Sequence, residues 1–379
     1  MKYKFSQILE EYSEKNIDNL YEPAAVGKYG VRKRSEIYKK DLSDDYSKNK
    51  VIYQNTLTIG MGSKQIDFGV LTYDATYSVS PAYKTFRINT DIIKSEYLEL
   101  YLMAFNEYLT KKYMIASARQ GKKVDIDNLL DDYIEVPDFS KQNTVVSNIS
   151  KIKDALQLDE ELISLYDELV VTCFDEYFGD PIQNEKNWIT KPLLELGKCK
   201  NGMNFSYDES GVTINCLGVG DFKDYSFVEN TAMLPRISLN KKPSEEYLLK
   251  NEDIVFVRSN GNKALVGRSI LVYPNDIPTT YSGFCIRYRK EDESLDAVYL
   301  LRVLKHESTR RKMAGRGTNI QNLNQKILSS LSIPIPPMEL QKKYSEFVKR
   351  IEELKTVILD RDSYYSELYN KYMGLYFIK

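Results

Sequence analysis

The chain has 379 residues, a formal net charge of −1 and 42% hydrophobic residues, enough apolar material for two or three folded domains. No Cys-x-x-Cys spacing occurs among its four cysteines, so we expect reduced thiols in a cytoplasmic protein. The N-terminal residues do not resemble a signal peptide and no apolar run has membrane-spanning length, which argues against the secretory and integral-membrane classes.

Residues 1–138 predict a small, largely antiparallel α+β module. Residues 4–12 have the spacing of a short helix, and residues 97–116 that of a longer helix. Strand character occurs at residues 51–53, 56–59, 68–73 and 83–88. The stretch 26–40 is rich in Lys and Arg, and a solvated loop and an anion-binding loop are equally good interpretations of it.

A long helix is predicted for residues 139–178, because Gly179-Asp180-Pro181 has the composition of a helix end. Its apolar residues alternate by three and four, as in a coiled-coil seam that is interrupted at Asp159. The seam consists of Ile149, Ile152, Leu156, Asp159, Ile163, Tyr166, Val170, Cys173 and Tyr177.

A second α+β module is predicted for residues 181–336, with strands at 212–217, 253–257, 266–272 and 284–288 and a helix at 298–313. An apolar run ends it at Pro336-Pro337, and proline in the first turn permits a helix to start at once. That second long helix covers residues 338–377. Its seam contains Lys355 and Asp362, so it is expected to depend more on a partner helix than the first.

The two halves repeat each other at an offset of 199 residues, which pairs Pro137 with Pro336 and Gln142 with Gln341. A period this long indicates two whole modules, each followed by a long helix. Such a duplication is typical of a chain that reads two targets with two surfaces. An old duplication with one degenerate half fits the repeat equally well.

Charge is distributed unevenly along the chain. Residues 139–180 contain three basic and nine acidic residues, a net −6, and residues 337–379 carry a net +1, so the remaining residues carry +4. The α+β modules are therefore slightly basic, which is a weak indication of a polyanionic partner.

Signatures of catalysis are missing from the sequence. His306 is the only histidine, and no nucleophile is paired with it by a known pattern. Gly60-Met-Gly62-Ser-Lys64 lacks the full spacing of a P-loop and predicts a turn. Neither a metal-ligand cluster nor a glycine-rich cofactor loop is evident, so a non-enzyme is the favoured interpretation.

Several motifs resemble those of the specificity subunits of type I restriction-modification systems. They are Gly317 with Asn322-Leu323, Ile333-Pro-Ile-Pro-Pro337 with Gln341, Val79-Ser-Pro-Ala-Tyr83 with Phe86-Arg87, and Lys250-Asn-Glu-Asp-Ile254, where Asn251 stands in place of a family glycine. The first copy departs from the pattern, because Asp138 follows Pro137 where the family has a second proline.

The resemblance implies an α+β chain with two pseudo-repeated target-recognition domains, at 1–138 and 181–336, separated by two conserved long helices, at 139–180 and 337–379. These helices are expected to pack as an antiparallel coiled coil that sets the half-site spacing. It also implies a cytoplasmic, non-catalytic reader of a bipartite double-stranded DNA target in a bacterial or archaeal cell. Two modification subunits, which hold S-adenosylmethionine, and possible restriction subunits are the expected partners; this chain itself is expected to bind no cofactor or metal.

Candidate DNA contacts are the polar and basic residues in predicted loops, since Arg and Asn suit base edges and Lys suits phosphates. In the first module they are Lys28, Arg32, Lys33, Arg34 and Lys64. In the second they are Arg258, Ser259, Asn260, Asn262, Lys263, Arg268, Arg310, Arg311, Lys312 and Arg316. The alternative is a paired-module scaffold whose tyrosine-rich coiled coil binds proteins without DNA readout; a third interpretation, an enzyme with a novel site, requires turnover by the chain alone.

Overall fold

A computed structural model describes residues 1–27, 30–38, 43, 45–117, 121–206, 208–222, 226–314 and 322–377. Its contacts divide the chain into two compact units. Unit 1 comprises Met1–Glu160 and Asp360–Lys379, and unit 2 comprises Glu161–Leu359. Each unit therefore contains an α+β module together with part of each long helix. In the described residues, no helix combines the length and apolar character needed to cross a membrane.

Unit 1 is built on a four-stranded antiparallel sheet. Its strands are β1 Lys2–Lys4, β2 Leu9–Tyr12, β3 Ala24–Gly27, β4 Gly30–Lys33, β5 Lys50–Ile52, β6 Thr56–Met61, β7 Ile66–Leu71, β8 Tyr77–Val79, β9 Lys84–Ile88, β10 Met114–Ser117, β11 Gly121–Val124 and β12 Tyr133–Glu135. Its helices are α1 Phe5–Ile8, α2 Arg34–Ile37, α3 Ser95–Ala104, α4 Asn106–Tyr113, α5 Ile126–Asp131 and the long α6 Phe139–Phe178, which continues into unit 2. The sheet has the order β2-β9-β6-β7.

Two helices predicted in the first module are corrected by the structure. Residues 4–12 form only the short α1, because the following residues hydrogen bond to β9 as β2, with Leu9 opposite Ile88. The predicted helix 97–116 is two helices that meet at Phe105, followed by strand β10. In both places the sheet and the core override the helical spacing of the sequence.

Unit 2 repeats this architecture. Its strands are β13 Ile189–Pro192, β14 Gly197–Asn201, β15 Val212–Leu217, β16 Phe227–Val228, β17 Arg236–Leu239, β18 Asp253–Val257, β19 Ser269–Val272, β20 Thr279–Tyr281, β21 Cys285–Lys290 and β22 Ser332–Ile335. Its helices are α7 Ala297–Lys305, α8 Glu307–Ala314, α9 Gln325–Ser329 and the long α10 Met338–Phe377, which continues into unit 1 from Asp360 onward. The predicted helix 298–313 is thus also two helices. The main sheet has the order β14-β21-β18-β19-β16, and β16 joins it in parallel.

The repeat predicted from the sequence is present in the fold. Strands β2, β9, β6 and β7 of unit 1 have the same order and antiparallel pairing as β14, β21, β18 and β19 of unit 2. The two-stranded pairs β1–β12 and β13–β22 also correspond, and each precedes a long helix. What differs is peripheral: unit 1 has the hairpins β3–β4 and β10–β11, and unit 2 has the sheet β17-β15-β20.

One hydrogen-bonding arrangement recurs at the start of each long helix. The Gln142 amide donates to the carbonyl oxygens of Ile92 (3.3 Å) and Pro137 (2.9 Å), and its Oε1 accepts from Lys94 N at 2.8 Å. Lys94 is the N-cap residue of α3. Gln142 is fully buried, and its hydrogen bonds connect the N-terminus of α3 to the start of the long helix α6.

Gln341 makes the same three bonds in unit 2. Its amide donates to the carbonyl oxygens of Ser294 (2.9 Å) and Pro336 (2.8 Å), and its Oε1 accepts from the N-cap residue Asp296 at 2.8 Å. This recurrence gives the offset of 199 residues a physical basis, because the same side chain is required at the same junction in both copies.

The long helices run antiparallel within each unit. In unit 1 the Asn148 amide donates to the hydroxyl of Tyr376 at 2.9 Å, so the start of α6 lies against the end of α10. In unit 2 the Tyr344 hydroxyl donates to the carbonyl of Val170 at 3.0 Å, so the end of α6 lies against the start of α10. Both helices have the predicted bounds.

The charged residues of the helical seams have partners on the opposite helix. In unit 1, Asp159 is buried and accepts from Arg361 Nε at 2.8 Å. In unit 2, the buried Lys355 ammonium contacts Asp167 at 2.7 Å and Glu352 at 3.3 Å. These ion pairs compensate two seam interruptions that the sequence presents as weaknesses, since a buried charge is tolerated when it is paired and hydrogen bonded.

Asp362 predicts a pH dependence of stability. Burial, reinforced by the neighbouring Asp159 carboxylate, raises the pKa of Asp362 to about 6. Because the folded state then binds this proton more tightly than the unfolded state does, the contribution of Asp362 to stability is lost as the pH rises from about 4 through 6. Asp362→Asn is therefore expected to be more stable than the wild type above that window and to show a flatter stability curve across it. Denaturant titrations at several pH values measure the difference; parallel curves for the two proteins argue against the shift.

Candidate functional site

The basic residues of unit 1 are presented by the hairpin β3–β4 and the helix α2 that follows it. Arg32 is exposed on β4, and the Lys33 ammonium contacts the Glu22 carboxylate at 2.8 Å. The hydrogen bond to Glu22 raises the pKa of Lys33. Residues 26–40 are thus ordered as a hairpin and helix where they are described, rather than forming a plain loop.

Arg34 stands at the first position of α2 and is partly buried. Its guanidinium lies 4.4 Å from the ring centroid of Tyr38, and its buried Nε has no hydrogen-bond partner among the described residues. A cation held on an aromatic ring in this way is preorganised for contact with an anion.

Lys64 is exposed in the turn between β6 and β7. It lines a cleft of about 370 Å³ that is also lined by Tyr38, Gly27 and Gly30, so the structure brings Lys64 to the same side as the Arg34–Tyr38 pair. Burial in this cleft raises the pKa of the Asp67 carboxyl. The remaining unit 1 candidate, Lys28, lies outside the described residues.

Two further lysines of unit 1, which were not among the predicted DNA contacts, are exposed on the same unit. Lys122 and Lys123 are exposed on β11, which lies beside β6, the strand that leads into the turn holding Lys64. In the sequence these two lysines are adjacent and follow Gly121, a pattern similar to the basic stretches that were predicted as DNA contacts.

In unit 2 the loop between β18 and β19 is held in shape by its own polar groups. Arg258 Nη1 donates to the carbonyl of Gly283 at 3.2 Å, and the Ser259 amide to that of Phe284 at 3.4 Å. Asn260 Oδ1 accepts from the backbone of Asn262 at 2.8 Å. These bonds set the local shape of the loop and leave its polar side chains near the surface.

The next residues of this loop continue the pattern. Asn262 Oδ1 accepts from Ala264 N at 3.1 Å and caps a single 3-10 turn, Lys263–Leu265. Phe284 lies beside Ser259, and its side chain is 61% exposed. From the sequence it was predicted only as the first residue of a strand. An exposed aromatic ring next to polar and basic side chains is typical of interfaces.

The other basic candidates of unit 2 occupy two different environments. Arg268 and Arg310 are partly buried and line a cavity: Arg310 donates to the carbonyls of Gly267 (2.6 Å) and Val266 (3.2 Å), and burial together with Arg268 lowers its pKa. Arg311 and Lys312, the next residues on α8, are exposed. Arg316 lies outside the described residues.

The single histidine of the chain is hydrogen bonded through both ring nitrogens. His306 Nε2 contacts the Asp175 carboxylate at 3.0 Å and its Nδ1 the Ser308 hydroxyl at 2.7 Å. No group of three or more His, Cys, Asp and Glu side chains in the described part of the chain is arranged to hold a metal ion. All four cysteines, which are among the described residues, are free thiols.

Parts of the chain are similar to known proteins. Residues 185–361 match the type I restriction modification DNA specificity domain. The chain is 30% identical over 227 residues to the specificity subunit of the type I restriction enzyme StySPI of Salmonella potsdam, an alignment that covers 56% of this chain and 47% of that protein. It is 27% identical over 180 residues to the MjaVIII specificity subunit of Methanocaldococcus jannaschii, covering 45% and 40%. The alignments thus span less than half the length of these curated relatives.

The fold has a counterpart among solved structures. The S subunit of a type I restriction-modification system from M. genitalium aligns over 98% of this chain and 94% of its own, with a TM-score of 0.59 at 14% sequence identity. At that identity the likeness establishes the fold. The matched specificity domain, the two related subunits and the shared fold make this chain similar to the specificity subunits of type I restriction-modification systems.

Proposed function

We propose that this chain is a non-catalytic subunit that gives a DNA-modifying complex its sequence specificity. The observation that carries the proposal is the duplication: two units share a sheet order and a buried glutamine junction but differ in their peripheral hairpins. A shared scaffold with two different surfaces suits a target in two parts, one half-site for each unit. The specificity domain matched at residues 185–361 supports DNA as the target.

Basic and polar loops supply the means of recognition. In unit 1 the proposed surface contains Arg32, Arg34 and Lys64, and in unit 2 it contains the loop from Arg258 to Lys263. Phosphate contacts by Lys and Arg position a protein on DNA, whereas bidentate bonds from Arg or Asn to base edges specify the sequence. Each of the two proposed surfaces contains lysine for phosphate contacts and arginine for contacts to base edges.

The long helices are the proposed docking surface for modification subunits. Unit 2 leaves Leu165 (60% exposed) and Leu169 (41%) on α6 and Val357 (63%) on α10 in contact with solvent, although these helices have a packed seam. Exposed apolar side chains that share a helix indicate a protein partner. The partners, two modification subunits and possible restriction subunits, would supply S-adenosylmethionine and the chemistry.

Base-modification mapping tests the proposal directly. Cells that contain this chain and its modification partner are compared with cells that lack this chain alone. A methylated motif in two parts with a fixed gap, present only in the first cells, is the expected result. An unchanged methylation pattern, with the partner shown to be present and active, contradicts the proposal and favours a protein-binding scaffold.

Arg34→Ala is expected to weaken binding of the assembled complex to its target about tenfold and to reduce the salt dependence of that binding, because a charge near the DNA is removed. Binding is measured by fluorescence anisotropy over a range of salt concentrations. Lys111→Ala is a suitable control, since Lys111 is exposed on α4 and ion-paired with Glu107. Equal affinity of the Arg34 variant and the wild type removes Arg34 from the interface.

A further inference from the structure

Unit 2 contains a cavity of about 550 Å³ that is unusually rich in positive charge. Four cationic side chains line it: Arg268, Arg302, Lys305 and Arg310. They come from the residue before β19 and from helices α7 and α8, so the charges converge from three parts of the fold. The cavity walls are completed by α6 and α10, through residues such as Val170 and Tyr344.

Among the described residues that line the cavity, carboxylates are fewer than cationic side chains. Asp167 and Glu352 are the acidic residues among its lining, and both are engaged by Lys355, whose Nζ lies 2.7 Å and 3.3 Å from their carboxylate oxygens. The lining therefore carries a positive excess, which becomes larger when Lys355 is included. Concentrated positive charge in a partly enclosed space is stable only if an anion or water compensates it.

Two polar atoms at the cavity lack hydrogen-bond partners within the part of the chain that the structure describes. The Ser269 side chain is 2% exposed and lines the cavity, and its Oγ has no partner among the described residues. The buried Nε of Arg302 has none there either. Lys305 Nζ donates to Ser226 Oγ at 2.9 Å, which places a second hydroxyl at the same wall. Buried polar groups are normally hydrogen bonded, so these donors point to a ligand with several acceptor oxygens.

We propose that this cavity binds the phosphate group of a ligand. A phosphate offers oxygens to the guanidinium of Arg302, the ammonium of Lys305 and the Ser269 hydroxyl together, as arginine and lysine sites for phosphate generally do. The volume admits a group the size of a nucleotide. The phosphate belongs either to a free nucleotide or to a DNA backbone, and the site does not require that the chain reads a DNA sequence.

The ammonium of Lys305 faces Arg302 on α7, Glu352 and Lys355 on α10, and Asp167 on α6. Burial, reinforced by Arg302, lowers the pKa of Lys305 to about 8. A bound anion stabilises the protonated amine, so anion affinity falls as the pH rises through about 8. Sulfate is the appropriate probe for this effect, because it does not itself titrate in that range.

Calorimetric titration of the full chain with pyrophosphate tests the site. The wild type is expected to bind, and Arg302→Gln and Lys305→Met to bind at least tenfold more weakly. Lys305→Met should fold, because it replaces a buried amine with an apolar side chain of similar size. Arg350→Gln is the matched control, since Arg350 is 72% exposed on α10, is ion-paired with Glu353 and lies outside the cavity. Its affinity should equal that of the wild type.

Two further arms complete the experiment. Sulfate titrations should show an affinity that falls with pH in the wild type and is flat in Lys305→Met. Displacement of pyrophosphate by duplex DNA of arbitrary sequence assigns the phosphate to a DNA backbone, and retention of pyrophosphate assigns it to a free nucleotide. Absence of pyrophosphate binding by the wild type, or equal binding by a folded Lys305→Met protein, overturns the proposal.

Discussion

Replacing Asp253 with asparagine is expected to destabilise unit 2 by about 3–5 kcal/mol, the usual cost of leaving a buried charge without its partner. Asp253 is fully buried at the start of β18 and accepts from Arg289 through both nitrogens Nε (2.7 Å) and Nη2 (2.6 Å). Arg287, also buried, lies 3.9 Å away, and the backbone of Lys250 donates to the same carboxylate at 2.7 Å. Chemical denaturation of the full chain measures the loss.

A double substitution separates the ion pair from simple loss of packing. Removing both partners in Asp253→Asn with Arg289→Met should be less damaging than the sum of these two single changes, because no unpaired charge of that pair remains. Glu291→Gln is the matched control: it removes a surface partner of Lys198 on the same sheet and should change stability by less than about 1 kcal/mol. Additive effects in the double variant would show that the Asp253–Arg289 pair is not coupled.

This arrangement explains the motif Lys250-Asn-Glu-Asp-Ile254 that resembles a family pattern. Its aspartate closes the turn and anchors two arginines of β21. The residue in the left-handed backbone region is Glu252, with φ of 68°, directly before Asp253. The backbone conformation favours a glycine at position 252, whereas the resemblance placed the replaced glycine at Asn251.

Gln341→Leu is expected to cost about 3–5 kcal/mol, since three hydrogen bonds are lost and buried backbone groups of Ser294, Asp296 and Pro336 are left without a partner. Trp188, the only tryptophan, lies in unit 2, so its fluorescence follows the unfolding of that unit. Circular dichroism follows the whole chain.

Two comparison variants make this result specific. Lys342→Leu changes the adjacent, exposed residue of α10 and should leave the transition within about 0.5 kcal/mol of the wild type. Gln142→Leu removes the equivalent junction of unit 1 and should lower stability by a similar amount when circular dichroism is measured. A Gln341→Leu protein with an unaltered tryptophan transition would mean that the junction does not stabilise unit 2.

The sequence alone determined the long helices and the repeat. Residues 139–178 and 338–377 keep three-and-four apolar spacing over many turns and are bounded by proline or by Gly179, so local chemistry is sufficient to define them. The offset of 199 residues paired Gln142 with Gln341 correctly, because one buried side chain performs the same task at both junctions.

Only the tertiary structure decided the rest. Residues 9–12 have helical spacing but become strand β2, since β9 offers hydrogen bonds along its edge. Asp159 and Lys355 look like interruptions of a seam until the opposite helix supplies Arg361 and Asp167. Arg268 and Arg310 read as surface cations beside Arg311, yet the fold turns them toward a cavity with Lys305. A sequence shows which side chains are charged, but only the packing of distant segments decides which groups pair with them and whether they are buried.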